Sequence, residues 1–280
     1  MHDKQNTSVL VAKTLKLYIN GALARSESGA TFAAGGFEVP DASRKDIRDA
    51  VRAGASAAAG WSARDPYNRG QIIYRVAEML EARTEDLAIL GECLGQDPAV
   101  ARADVRQAVD VWVHYAGWAD KLGQVLGSVN DVSGPFLSYT SAESLGLVAG
   151  VFAPDSAPSL APMSAVIAST LAAGNTSLVI GSGLWSIPAL VFAEVLATSD
   201  VPSGVAQIAS STREEAARTA AAASQVSGLD LSLAGGLSES LAITAAETFT
   251  RSLNRSAPLT GADRLRWQIE RRTFWHPTSR

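Results

Sequence analysis

Apolar positions in the first half of the chain recur at helical spacing, whereas those of the second half come in short unbroken runs. Leu15-Lys16-Leu17-Tyr18-Ile19 alternates as a strand does. The following Asn20-Gly21 is a two-residue hairpin signal, which predicts a return strand near Ala22 to Arg25. Residues 26–40 read as a Gly/Ala-rich connection ending at Pro40. Asp41 or Ser43 can cap a helix that starts near Arg44 and carries Ile47, Val51 and Ala55 on one face. A second helix is predicted from Asn68 to Leu80, with Ile72, Val76 and Leu80 stacked, and Leu87, Ile89 and Leu90 continue helical character to Gly95. A third runs from about Ala103 to Leu122 through Val105, Val109 and Trp112.

After Gly123 the texture changes. Residues 125–143 are rich in Ser, Val and Gly, and Phe136, Leu137 and Tyr139 suggest an extended hairpin. From Leu145 onward short apolar runs alternate with helical segments. Strands are predicted at Leu147 to Phe152, Ser177 to Ile180, Val205 to Ala209 and Leu229 to Leu233. Helices are predicted between them at Ser164 to Ala172, Ile187 to Leu196 and Glu214 to Ala223. Unbroken apolar strands separated by helices imply a parallel sheet covered on both faces. The expected fold is therefore α/β, a Rossmann-like doubly wound parallel sheet preceded by a mostly helical half.

Composition narrows the function classes. The chain has 280 residues, 47% hydrophobic and 19% charged, with a formal net charge of −4, and its basic residues are scattered rather than striped. That is not the electrostatic footprint of a nucleic-acid binder. The locally basic set Arg264, Arg266, Arg271 and Arg272 reads as a solvated helix face. One cysteine excludes a disulfide framework within the chain, and His2, His114 and His276 lack metal-ligand spacing. Residues 1–14 are polar and expected to be disordered, and their opening lacks the basic-then-apolar layout of a secretory signal. No uninterrupted apolar stretch reaches membrane-spanning length, so the chain reads as cytoplasmic, with no membrane partner.

Three chemistries compete with plainer readings. Cys93 has no His or Lys in the neighbouring turns to lower its pKa and reads as a small buried apolar residue rather than a nucleophile. No G-x-G-x-x-G follows a predicted strand. Gly181-Ser182-Gly183, between a strand and a helix, could let a backbone approach a phosphate or could be a tight turn. A Ser/His/Asp hydrolase lacks its G-x-S-x-G elbow, and His114 reads as a helix residue beside Tyr115.

Several stretches, in order and spacing, resemble one family. Leu17-Tyr18-Ile19-Asn20-Gly21, Trp61, Arg69-Gly70, Arg75 to Arg83, Tyr115 to Lys121, Leu171 to Thr176 and Val201 to Val205 are similar to the aldehyde dehydrogenase superfamily from about residue 15 to 236. The resemblance also marks departures at the positions the family uses for chemistry. Its P-W-N-F-P reads Pro154-Asp155-Ser156-Ala157-Pro158, with Ser156 where the family's Asn donates to the oxyanion. Its ribose-holding K-P-S-E reads Ile180-Gly181-Ser182-Gly183, and its T-G-S reads Ala234-Gly235-Gly236. Its general-base segment corresponds to Leu259-Thr260-Gly261, with Leu259 at the Glu position. No position corresponds to the catalytic cysteine, which the family needs for attack on the aldehyde before hydride transfer to NAD(P).

The resemblance thus implies a cofactor-type domain over 15–260, an oligomer-forming hairpin near 125–143 within it, a C-terminal tail at 261–280, and no catalytic domain. Thr273 to Pro277 resembles the end of the non-catalytic second copy that some aldehyde dehydrogenases carry. The resemblance therefore implies a non-catalytic family member acting as a structural or regulatory partner, in a homo-oligomer or with a full-length aldehyde dehydrogenase. No catalytic residue, metal or cofactor is expected. The alternatives are an NAD(P)-binding module, using what remains at Pro154, Ser156, Ile180, Ser182, Gly183, Gly235 and Gly236, or an aldehyde oxidoreductase that completes its site from another chain.

Overall fold

A computed structural model describes residues 14–152, 157–254 and 261–278. The predicted first hairpin is present: β1 (Leu17–Ile19) and β2 (Ala22–Ala24) pair antiparallel. Asn20 and Gly21 both take left-handed φ, 52° and 77°, as a primed two-residue turn requires. The connection expected at 26–40 holds a second hairpin instead. β3 (Thr31–Ala34) and β4 (Phe37–Pro40) turn through Gly35 and Gly36, also both left-handed.

Helix α1 (Arg44–Ser62) begins with a capping box, in which Ser43 Oγ accepts from Asp46 N and Asp46 accepts from Ser43 N. Asp65 and Asp97 each cap a helix whose first residue is a proline, α2 (Pro66–Glu81) and α4 (Pro98–Ala116). Between them lies α3 (Thr84–Cys93), separate from α2. The short α5 (Leu122–Leu126) leads into β5 (Ser128–Asn130) and β6 (Phe136–Ser144), the expected extended hairpin.

The alternating half follows the predicted order: β7 (Leu147–Phe152), α6 (Leu160–Ala172), β8 (Thr176–Gly181), α7 (Ser186–Ala197), β9 (Ala206–Ser210), α8 (Glu214–Ala221) and β10 (Val226–Leu233). It continues through α9 (Ser238–Ala246) and β11 (Arg251–Leu253). A seven-stranded sheet runs β11-β10-β7-β8-β9-β1-β2, with β7 to β11 parallel and the β1–β2 hairpin added antiparallel at one edge. β7, β8 and β9 are buried along their whole length, as strands covered on both faces must be. One layer is formed by α6 and α7 with α2 and α4 behind them, the other by α1, α8 and α9.

The stretch expected to be a C-terminal tail folds as α10 (Gly261–Trp267) and β12 (Ile269–Pro277). β12 pairs with β6 over nine residues, giving a second sheet of order β12-β6-β5. The four arginines do not share a solvated helix face. Arg264 is 1% exposed, Arg266 is on exposed α10 surface, and Arg271 and Arg272 are on β12. The N-terminal segment expected to be disordered lies, up to residue 13, outside the described residues. Among the described residues no helix is long and apolar enough to cross a membrane.

Candidate functional site

Strand order sends β8 and β9 to one side of β7 and β10 and β11 to the other. In open α/β sheets such a reversal opens a crevice at the carboxyl ends of the strands, and ligands bind there. Its described rim is Phe152, Ser182 to Trp185 after β8, Ser211 to Arg213 after β9, and Ala234 to Leu237 after β10. Pro154, Asp155 and Ser156, the degenerate oxyanion segment, lie outside the described residues, as does Leu259.

The remaining sequence-predicted positions do gather at this rim, though their groups are turned inward or absent. Ile180 is 1% exposed inside β8. Ser182 Oγ donates to Ser211 O at 2.6 Å, tying the ends of β8 and β9 together. Gly183 has a left-handed φ of 55° and opens a 3-10 turn that ends at Trp185. Gly181 O accepts from Ser211 N and from Ser186 Oγ, both at 3.0 Å. A Cβ there would meet Ser186 Cα and Trp185 O at 3.1 Å, so Gly181-Ser182-Gly183 is a tightly packed turn. Trp185 itself is buried against Phe152, with ring centroids 5.3 Å apart. Gly235 (φ 53°) starts the corresponding turn after β10, and a Cβ at Gly236 would meet open space.

Two carboxylates at this end of the sheet have roles that the sequence does not signal: Asp104, and Asp41, which reads there as a possible cap of α1, a place that Ser43 takes. Asp104, on α4, sits on the N-terminus of α6, accepting from Ser159 Oγ (2.6 Å), Leu160 N (2.7 Å) and Ala161 N (3.1 Å). A helix N-terminus after the first strand of a dinucleotide fold is where a pyrophosphate is held by free N–H groups. Here a protein carboxylate takes those donors. Asp41, 5% exposed, accepts from Ser211 Oγ (2.7 Å) and Thr212 N (3.3 Å) and pairs with Arg213 Nε at 3.2 Å. Both sets of contacts span long sequence separations, so no local motif signals them.

Cys93 lies on the exposed side of α3 rather than in the core, because Leu87 and Ala88 form the buried side of that helix. His114 accepts from Trp118 Nε1 at 3.1 Å on α4, beside Tyr115 as expected. His276 is on β12, opposite Leu137. Among the described residues no group of His, Cys, Asp and Glu could hold a metal ion.

A doubly wound cofactor-type sheet carrying an added three-stranded sheet defines a class, and comparison with known proteins gives the family. Residues 35–253 match the model of the aldehyde dehydrogenase family. The chain belongs to that family. It is 34% identical over 222 residues to hydroxyisobutyraldehyde dehydrogenase of Mycolicibacterium austroafricanum, covering 76% of this chain and 43% of that protein. It is 32% identical to cytosolic aldehyde dehydrogenase 1 of Elephantulus edwardii, covering 72% and 42%. Among solved structures, PnpE from Pseudomonas sp. WBC-3 superposes with a TM-score of 0.77 at 25% identity, covering 86% of this chain and 50% of that one. Bacillus cereus aldehyde dehydrogenase, in a structure with NAD+, gives 0.78 at 24% identity, a likeness of fold alone. The chain spans less than half the length of these two curated relatives and half that of the solved structures.

Proposed function

We propose that this chain is a non-catalytic member of the family that works by association, as a structural or regulatory partner of a complete aldehyde dehydrogenase or of further copies of itself. One observation carries the reading. At the positions that correspond to the family's ribose-holding cation and carboxylate stand a core isoleucine, Ile180, and a glycine, Gly183. The hydroxyl between them, on Ser182, is spent on Ser211. Holding the hydroxyls of a dinucleotide takes charged or polar side chains aimed into the crevice. Asp104 on the α6 N-terminus adds a negative charge where a pyrophosphate would need donors. The described rim therefore does not fit NAD(P).

Selective change supports association. The stretches that build the sheet and its covering helices keep the family pattern, while Ser156, Ile180, Gly183 and Gly236 depart from it at chemical positions. The purified full chain is expected to give no heat with NAD or NADP by calorimetry and no aldehyde-dependent NADH. Mixed with a complete aldehyde dehydrogenase of the same source, it is expected to co-sediment with it. NADH formation that survives Cys93→Ala, or saturable NAD binding, would overturn the non-catalytic reading. A chain that associates neither with the dehydrogenase nor with itself would overturn the association.

A further inference from the structure

β12 is nine residues long, pairs on one side with β6, and has no strand on its other side among the described residues. Every residue from Glu270 to Pro277 is exposed, Trp275 to 61%. An edge of this length presents unpaired backbone N–H and C=O groups to another strand. We infer that its occupant is the β12 strand of a second copy of this chain, paired antiparallel about a two-fold axis at Thr273. The inference rests on the association reading and names the partner and register for it.

The register comes from side-chain parity and charge. Directly opposed residues of an antiparallel pair lie on the same face, so a two-fold axis normal to the sheet must pass through a residue rather than between two. Centring on Arg271 or Arg272 sets an arginine against its own copy, which like charges disfavour. Centring on Phe274 sets Arg272 against His276 of the second copy and leaves Glu270 beyond the overlap. Centring on Thr273 sets Glu270 opposite His276, Arg271 opposite Trp275 and Arg272 opposite Phe274, each pair occurring twice. Those are an acid with a base and two cations with aromatic rings, the cross-strand pairs that stabilise sheets.

Contacts already present prepare this arrangement. Phe274 stacks on Tyr139 of β6, with ring centroids 5.1 Å apart, and Arg272 bridges Glu143 at 3.1 Å. The rows would meet across the axis: Tyr139 and Phe274 of one copy face Arg272 of the other, which stands opposite Ser141 and reaches diagonally to Glu143. Val129, Leu137, Tyr139 and Phe274, all exposed, would then belong to a continuous six-stranded sheet.

The test uses the full chain in a Cys93→Ser background, which removes its single exposed thiol. Opposed residues in an antiparallel pair have Cα atoms about 4.5–5.5 Å apart, within the span of a disulfide. Thr273→Cys is expected to form a covalent dimer on mild oxidation. Arg271→Cys and Trp275→Cys are each expected to stay uncross-linked alone and to cross-link when mixed. Sedimentation of the unmodified chain is expected to give a dimer. Failure of Thr273→Cys to cross-link, or self-cross-linking of Arg271→Cys, overturns the register. A monomer that still co-sediments with a complete aldehyde dehydrogenase overturns the strand pairing while the association reading stands. Cross-linked homodimers that ignore the dehydrogenase support the pairing and remove the dehydrogenase as partner.

Discussion

Asp230 on β10 and Arg264 on α10 form an ion pair whose side chains are each 1% exposed, and replacing either one alone should cost far more than a surface pair would. The pair is hydrogen-bonded beyond itself. Asp230 Oδ1 accepts from Ser232 N (3.0 Å) and Ser232 Oγ (2.6 Å), and Arg264 Nε donates to Ser169 Oγ (3.1 Å). Ser169 Oγ also accepts from Gln268 Nε2 at 2.8 Å and donates to Ala165 O at 2.5 Å. Arg264→Met leaves the Asp230 carboxylate with two donors and no countercharge in the core. Breaking a buried pair from one side costs about 3–5 kcal/mol, against a total stability of about 5–15 kcal/mol for a typical domain. Asp230→Leu strands the guanidinium and should cost a similar amount. Because the desolvation of both charges disappears together, the double variant should lie within about 2 kcal/mol of the parent. Urea unfolding followed by tryptophan fluorescence and far-UV circular dichroism measures this as a shift in midpoint at constant m-value. Single-variant losses below about 1 kcal/mol, the range of exposed pairs, would refute the reasoning. So would a double variant as unstable as the two singles added together.

Other contacts give further expected outcomes. Asp104→Ala removes the acceptor for Ser159 Oγ, Leu160 N and Ala161 N and should cost about 1–2 kcal/mol, read as a lowered midpoint, with Asp104→Asn recovering part of it. Gly204→Ala combines a left-handed φ of 79° with a Cβ 2.9 Å from Ala53 O, and should cost about 2 kcal/mol or more; a neutral result in the same urea assay would contradict that packing. Burial raises the phenol pKa of Tyr18 and Tyr115 above the ordinary 10.0. The folded state then holds those protons more tightly than the unfolded chain, so stability is level below pH 10.0 and falls as pH rises through it. Tyr18→Phe and Tyr115→Phe should each flatten that alkaline slope in urea midpoints taken across the range.

Legibility in the sequence tracks how local the cause of each element is. β7 keeps its predicted bounds because six consecutive apolar or small residues between polar segments admit little else than a buried strand. The Asn20-Gly21 turn is legible because both residues tolerate the left-handed backbone it needs. The β3–β4 hairpin is not, since its turn is Gly35-Gly36 inside a run of Gly and Ala that gives no alternation. β12 reads as a tail because both its faces are exposed, which removes the period-two pattern, and because its partner β6 is more than a hundred residues earlier. Arg264 reads as part of a solvated face because nothing near it signals Asp230, 34 positions away. Cys93 reads as a core residue because apolar neighbours do not say which side of α3 is covered. At the crevice, the degenerate positions are legible through the family pattern, whereas Asp104 and Asp41 act across separations that no motif spans.

The two ends of the parallel sheet use their polar groups for different purposes, a difference that fits the proposed association. At the carboxyl end, where α/β sheets bind ligands, Ser182, Ser211, Asp41 and Asp104 are consumed in fastening strand ends and a helix start to one another. At the amino end a partly buried network holds the entry to β12. Asn175, just before β8, accepts from Leu145 N (2.6 Å) and Gly146 N (3.0 Å) and donates to Gln268 O at 2.8 Å. Arg251, at the start of β11, donates to Trp267 O (3.1 Å) and Ile269 O (2.7 Å). Asp230 and Arg264 fix α10 to the sheet alongside them. Buried polar groups are costly unless they are satisfied, and most of these are, although Trp267 Nε1 and Gln268 Oε1 have no partner among the described residues. What the network positions is the first residue of an exposed strand, not a group in the crevice. A strand offered to a partner must hold its register against its own sheet before another strand can pair with it, and these contacts supply that register.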